Sequence, residues 1–101
     1  MAKQTYELTG IITGKIRDTA RNSTKYAGQE YWRLQTIIDH SEAKEILVYQ
    51  DYLENKEIWE KVEQRKYHGR KYIFLVHKYF RSYWLVNWQF LEKVKHYGSE
   101  K

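Results

Sequence analysis

Hydrophobic and polar residues alternate along the stretch YELTGIITGKIR. Tyr6, Leu8, Gly10, Ile12, Gly14 and Ile16 take the even positions; Glu7, Thr9, Ile11, Thr13, Lys15 and Arg17 take the odd ones. A period of two held this long predicts a long strand buried on one face. Both glycines fall on the buried parity, where a missing side chain marks a bend, a bulge or a close backbone approach. A long strand that bends can serve both halves of a small barrel.

The polar segment DTARNSTKYAG then predicts a loop. A second strand follows in QEYWRLQTIID, with Trp32, Leu34 and Ile38 on one parity and Tyr31, Arg33, Gln35 and Ile37 on the other. After the turn HSEAK comes a third strand, EILVYQDYL. Pairing Ile38 with Ile46 sets Thr36 against Val48 inside and gathers Tyr31, Arg33, Gln35, Leu47 and Tyr49 outside. The segment NKEIWEKVEQRKY predicts the one helix, with Asn55 as N-cap, Glu57 in the first turn and Ile58, Trp59 and Val62 as a short apolar face. Gly69 ends the connection. Two last strands, about Lys71 to Phe80 and Tyr83 to Leu91, carry apolar residues on both parities, as strands covered on both sides do. A tight turn near Arg81-Ser82 joins them. Trp32, Phe74, Trp88 and Phe90 are expected in the core, and Trp59 is expected to pin the helix.

The order is strand, loop, strand, strand, helix, strand, strand, in one domain over residues 1–92 with a flexible C-terminal tail over 93–101. A chain of 101 residues fits one domain. It has no cysteine, so disulfides and zinc-thiolate sites are excluded. The opening MAKQTYELTG holds no apolar run of a signal peptide, and no segment has the length of a membrane span. The expectation is a cytoplasmic protein, nucleoid-associated if it binds DNA.

Charge changes the picture. The net charge is +5, yet Asp39 to Glu63 holds eight acids and three bases, a local −5 that leaves +10 for the remainder. From Gln64 to Leu91 there is no acid, against six cations: Arg65, Lys66, Arg70, Lys71, Lys78 and Arg81. Such a chain attracts polyanions on one side and repels them on the other.

Catalytic patterns are lacking. Gly10–Lys15 carries the glycines and lysine of a phosphate-binding loop but is one residue short, has no Ser or Thr after the lysine, and lies within a strand. His40, His68, His77 and His96 are scattered without ligand spacing. Glu54, Glu57, Glu60 and Glu63 recur every three residues with lysines between, which is the pattern of a solvated helix face. The reading is a protein that is not an enzyme and takes no metal or cofactor.

The element order, the long glycine-bearing first strand and the entry HGRKYIFLV after the helix resemble the OB-fold, the oligonucleotide/oligosaccharide-binding fold, over about residues 5–92. The resemblance implies an all-β structure with one helix: a five-stranded OB-fold barrel with the helix between strands 3 and 4. In such folds nucleic acid crosses the outer face of strands two and three, flanked by the first-to-second and fourth-to-fifth strand loops. By resemblance the first loop offers Lys15, Arg17, Arg21, Lys25 and Tyr26, the sheet face Tyr31, Arg33, Gln35 and Tyr49, and the last turn Lys78, Tyr79, Arg81, Tyr83 and Trp84. Cations neutralise phosphates and flat rings stack on unpaired bases, at about 1–3 kcal/mol per base. The chain resembles single-stranded DNA-binding proteins, which implies non-catalytic binding of single-stranded DNA, or else RNA, with weak sequence preference. It lacks the glycine/proline-rich tail and acidic tip of the familiar bacterial members. The alternative is an OB-type adaptor, an accessory subunit of a replication or recombination enzyme, with exposed Ile11, Ile37 and Leu47 as the interface core.

Overall fold

The computed structural model describes residues 4–21, 26–42 and 44–94. They are mostly β with one α-helix. The elements are β1 (Gln4–Thr19), β2 (Glu30–Ile38), β3 (Lys44–Val48), a 3-10 turn (Gln50–Tyr52), α1 (Glu57–Glu63), β4 (Arg70–Tyr79) and β5 (Ser82–Lys93). The five strands close in a ring in the order β1-β2-β3-β5-β4. Every neighbouring pair is antiparallel except β3 and β5, which run parallel and share only Ile46–Tyr83 and Leu47–Trp84.

The first strand does serve both halves. Gln4–Ile11 pair with β4, while Gly10–Thr19 pair with β2. Gly10 lies where the two pairings overlap. A Cβ there would collide with the Ile37 carbonyl and come within 2.9 Å of the Ile38 Cα, so this glycine marks a close backbone approach.

Three residues further on, the alternation breaks. Pairing passes from Ile12–Thr36 to Gly14–Gln35, which leaves Thr13 as a bulge with its hydroxyl donating to the Gln35 carbonyl at 3.2 Å. One extra residue reverses every later side chain on a period-two strand. Arg17 now pairs with Trp32 on the inner parity, and Ile16 pairs with Arg33 on the outer one. Ile16, expected inside, is 45% exposed. Ile11, expected outside, is 9% exposed, covered between β2 and β4.

The β2–β3 faces are as expected, but the register is not. Trp32 faces Val48, Leu34 faces Ile46 and Thr36 faces Lys44, a shift of four from the predicted Ile38–Ile46 pair. The end of β2 belongs instead to β1: Ile38 pairs with Gly10, and the Asp39 N–H donates to the Thr9 carbonyl at 2.7 Å. A shift of four is even, so inner and outer sets are preserved.

The interior is filled by Ile12, Leu34, Ile46, Val48, Phe74, Val76 and Leu85, with Ile58 and Val62 of α1 and Leu53 closing one end. Fully burying each such side chain contributes about 1.5–3 kcal/mol. Trp32 belongs to this core, and Trp59 and Trp88 pack against it. Phe90 does not; it is 44% exposed because β5 outruns the core at its C-terminal end. The helix is shorter than its sequence pattern. Asn55 Oδ1 accepts the Glu57 N–H at 3.1 Å near its start, and Gly69, at φ +73°, ends the connection. Lys93 closes β5 and Val94 donates to the Gly69 carbonyl at 2.9 Å, so both belong to the folded part and not to a tail. Among the described residues no helix is long and apolar enough to cross a membrane.

Candidate nucleic-acid interface

The outer faces of β2, β3 and β5 meet at the narrow parallel seam, and aromatic rings collect there. On β2 the odd positions point outward, which presents Tyr31, Arg33 and Gln35. Tyr49 follows β3 immediately on the same parity as Leu47. Trp84 stands outward on β5 because Tyr83 and Leu85, its neighbours, turn toward the core. Tyr31 and Tyr49 lie face to face with centroids 4.5 Å apart and planes 9° apart; Tyr49 and Trp84 do the same at 4.3 Å and 9°. The three rings form one continuous stack across the seam. Tyr26, from the β1–β2 loop, tilts against Tyr49 at 5.2 Å and Trp84 at 5.6 Å. Tyr52 and Tyr79 meet Trp84 edge to face at 5.2 and 5.4 Å. The Tyr52 hydroxyl bonds His77 Nδ1 at 2.7 Å and the Tyr79 hydroxyl at 2.9 Å, which holds the edge rings in place.

These rings lie outside the barrel-like core, as expected, but Tyr49 is not a contact residue. It is 5% exposed, with a ring on each face. Burial first, then the neighbouring Tyr31, raises its phenol to about 12. Among the described residues Tyr31 has a ring on one face only, and its pKa is raised by burial and by the Asp18 carboxylate.

Cations are divided differently from the expectation. Arg33 is held by acids of its own face: its guanidinium lies 3.0 Å from Glu45 and 3.4 Å from Asp18. The hydrogen bond and charge of Glu45 raise its pKa. Gln35 donates to the same Glu45 carboxylate at 2.8 Å. Both residues are thus engaged by carboxylates of their own face.

Lys15 and Arg17 leave the interface altogether, because the Thr13 bulge turns them toward the helix. Lys15 Nζ donates to the carbonyls of Val62 at 2.9 Å and Glu63 at 2.7 Å, the C-terminal end of α1, where a cation suits the helix dipole. Burial, and then the positive charge of Arg65, lowers its pKa. Arg17 pairs with Glu30 and lies 4.9 Å over the Trp32 ring, beside Lys15 at 4.2 Å. Lys25 lies outside the described residues.

The cations that do border the seam stand at its two ends. One depression, lined by Asp18, Arg21, Tyr31, Leu47, Ser82 and Trp84 among others, runs into a second lined by Lys44, Glu45, Leu47, Lys78, Arg81, Ser82 and Tyr83. Leu47 and Ser82 are common to both, so the two form one groove. Lys44 and Lys78 each lie 5.6 Å from the Tyr83 ring. Arg21 and Arg81 are exposed, and neither pairs with a carboxylate among the described residues.

Lys44 of the groove and Phe80, next to Arg81 in sequence, both escape a sequence reading. Lys44 lies inside the acidic segment, which masks it. Phe80 is hidden by a one-residue error in the turn: Tyr79 pairs with Ser82, so Phe80 and Arg81 form the tip of the hairpin. The Phe80 ring is 98% exposed and its backbone has φ 53°, a left-handed conformation that is an outlier for a bulky residue. The signal available was its position between Lys78 and Arg81.

No cluster of three or more His, Asp or Glu suited to a metal ion occurs among the described residues. Comparison of the chain with protein-family models, with curated proteins and with solved structures yields no match.

Proposed function

We propose that this chain is an OB-type domain that binds single-stranded nucleic acid, DNA foremost, without catalysis. The observation that carries the reading is the Tyr31–Tyr49–Trp84 stack on the outer flank, with Arg21 at one end of its groove and Lys44, Lys78 and Arg81 at the other. In this reading Tyr49 is a rigid spacer. It holds Tyr31 and Trp84 on the seam, where bases can meet the ring surface those residues leave uncovered. The terminal cations take phosphates. The Arg33–Asp18–Glu45 cluster on the wall sets one positive charge against two negative ones, so it supplies no attraction of its own for phosphate.

The adaptor reading has less support. Its interface core of Ile11, Ile37 and Leu47 does not assemble: Ile11 is covered, Leu47 lies in the groove floor and Ile37 alone of the three is exposed.

The test is a titration of the protein with fluorescent oligo-dT, oligo-dA and duplex DNA at about 50 and 200 mM salt. Preference for single strands, weak dependence on base and a steep loss of affinity with salt are expected. Absence of binding to all three at the lower salt would refute the proposal.

A further inference from the structure

Arg65, Lys66, Arg70 and Lys71 precede or open β4, at the end of the molecule away from the groove's cationic rim. Lys71 is engaged by Asp39 at 2.7 Å. Arg70 and Lys66 are not: among the described residues neither pairs with a carboxylate, and both border a cleft of about 250 Å³ together with Lys61, Tyr72, Trp88 and Phe90.

Of the rings in this cleft, Tyr72 is 4% exposed and belongs to the core, so Trp88 and Phe90 are the ones that reach the surface. Tyr72 and Trp88 stack at 4.1 Å and 15°, and Phe90 meets Tyr72 edge to face at 6.2 Å. The Arg70 guanidinium lies 4.9 Å over the Phe90 ring. Among the described residues Lys61 pairs with Glu57 alone, at 4.0 Å. Phe90 and Leu91, both 44% exposed, leave apolar surface beside the cations. A core does not need three cations at its mouth, and a solvated charge cluster does not need an exposed ring beneath it.

We infer that this cleft is a second contact for the phosphates and bases of a polynucleotide already held in the groove. The inference rests on the proposed function and extends it to a longer footprint. The two sites lie at opposite ends of the β4–β5 hairpin: Arg70 opens β4, and Lys78 stands eight residues along it, roughly 26 Å away at the rise of a strand. The hairpin carries one acid, Glu92, which faces Lys71 near its far end; from Gln64 to Leu91 there is none. The shallow surface between the sites is lined by Ile73, Leu75, Asn87, Trp88 and Gln89, with Glu7 of β1 at its border and Glu54 within 3.4 Å of Asn87. Trp88 is shared by that surface and the cleft. A polyanion can follow the hairpin from end to end, whereas an acidic protein segment docked at the cleft alone would leave the groove unaffected.

The experiment compares oligo-dT of about 6 and about 20 nucleotides, one near the short end and one beyond the long end of the range of about 4–16 nucleotides that a single such domain covers. The protein is used whole, as wild type and with Arg70→Gln and Lys66→Gln together. The short oligonucleotide should bind both proteins equally through the groove. The long one should lose about tenfold in affinity, and its slope of log affinity on log salt should become shallower by about 1.4, or 0.7 per lost phosphate contact. Phe90→Ser, which removes a ring and no charge, should weaken the long oligonucleotide alone, and it serves as the second variant if the double substitution unfolds the chain. An unchanged affinity and slope for the long oligonucleotide in both variants, with wild-type binding intact, would overturn the inference, leave the groove reading standing and point to a protein partner. Failure of the wild type to bind either length would overturn both.

Discussion

Tyr49 and Trp84 lie in parallel contact at 4.3 Å across the seam where β3 and β5 run side by side. That seam has only two paired residues on each strand, so side chains must supply much of the adhesion that backbone bonds provide elsewhere in the ring. The stack therefore does two jobs at once: it closes the sheet and it forms the floor of the candidate interface.

Tyr49 and Tyr31 should separate under mutation. Tyr49→Ala removes a buried ring and is expected to destabilise the fold by about 3 kcal/mol, in the range of large-to-small core changes. Tyr31→Ala exposes one face of Tyr49, leaves the fold intact and should weaken oligonucleotide binding by about 1–3 kcal/mol. Urea denaturation and binding titrations on the two variants check this. Equal loss of stability in both would show that Tyr31 is a structural member of the stack.

Arg33 is predicted to act on its own acids more than on phosphate. Arg33→Gln strands Asp18 and Glu45 on the groove wall and should weaken binding by repulsion. Glu45→Gln, which removes one of those charges, should tighten it severalfold at low salt, with the gain fading as salt rises. Weaker binding by the Glu45→Gln protein would contradict this account.

Phe80 combines full exposure with a strained backbone. Phe80→Gly relieves the left-handed conformation and should stabilise the hairpin or leave it unchanged, within about 1 kcal/mol. If the ring meets a base, the same variant loses about 1–3 kcal/mol of binding. Thermal melts and titrations of this one variant read both effects. Undiminished affinity would remove Phe80 from the interface.

Alkaline pH should loosen the molecule early. Burial is the first cause of the raised phenol pKa at Tyr31, Tyr49, Tyr52 and Tyr72, and Tyr49 moves from the usual 10.0 to about 12. The unfolded chain releases these protons first, so above about pH 10 it binds fewer protons than the folded chain, and stability falls with rising pH. The contribution is whole below pH 10 and is lost progressively toward pH 12. Urea midpoints measured from about pH 8 to about pH 11.5 should be level and then decline, and Tyr49→Phe should flatten the decline. A midpoint constant over that range would refute the burial assigned to these rings.

The alternation of side chains along β2 and β3 determined, from sequence alone, which residues face in and which face out. Trp32, Leu34 and Thr36 are buried, while Tyr31, Arg33 and Gln35 share the outer face, even though the strands pair four residues from the predicted register. An even shift leaves a period-two pattern unchanged. Element order, the single helix and the close approach at Gly10 were legible for similarly local reasons: turn residues, helix spacing and a missing Cβ each leave a mark in a few neighbouring letters.

Tertiary structure decided the rest. Gly14 hints at a bend or bulge, but that the extra residue is Thr13 is defined only relative to β2. That one residue sends Lys15 and Arg17 to the helix and Trp32 and brings Ile16 outward. The pairing of Arg33 with Asp18 and Glu45, and the enclosure of Tyr49 between two rings, likewise join residues from different strands. A side chain's parity is a property of its own strand. Its partner is a property of which strands lie beside it, and that is settled only when the sheet closes.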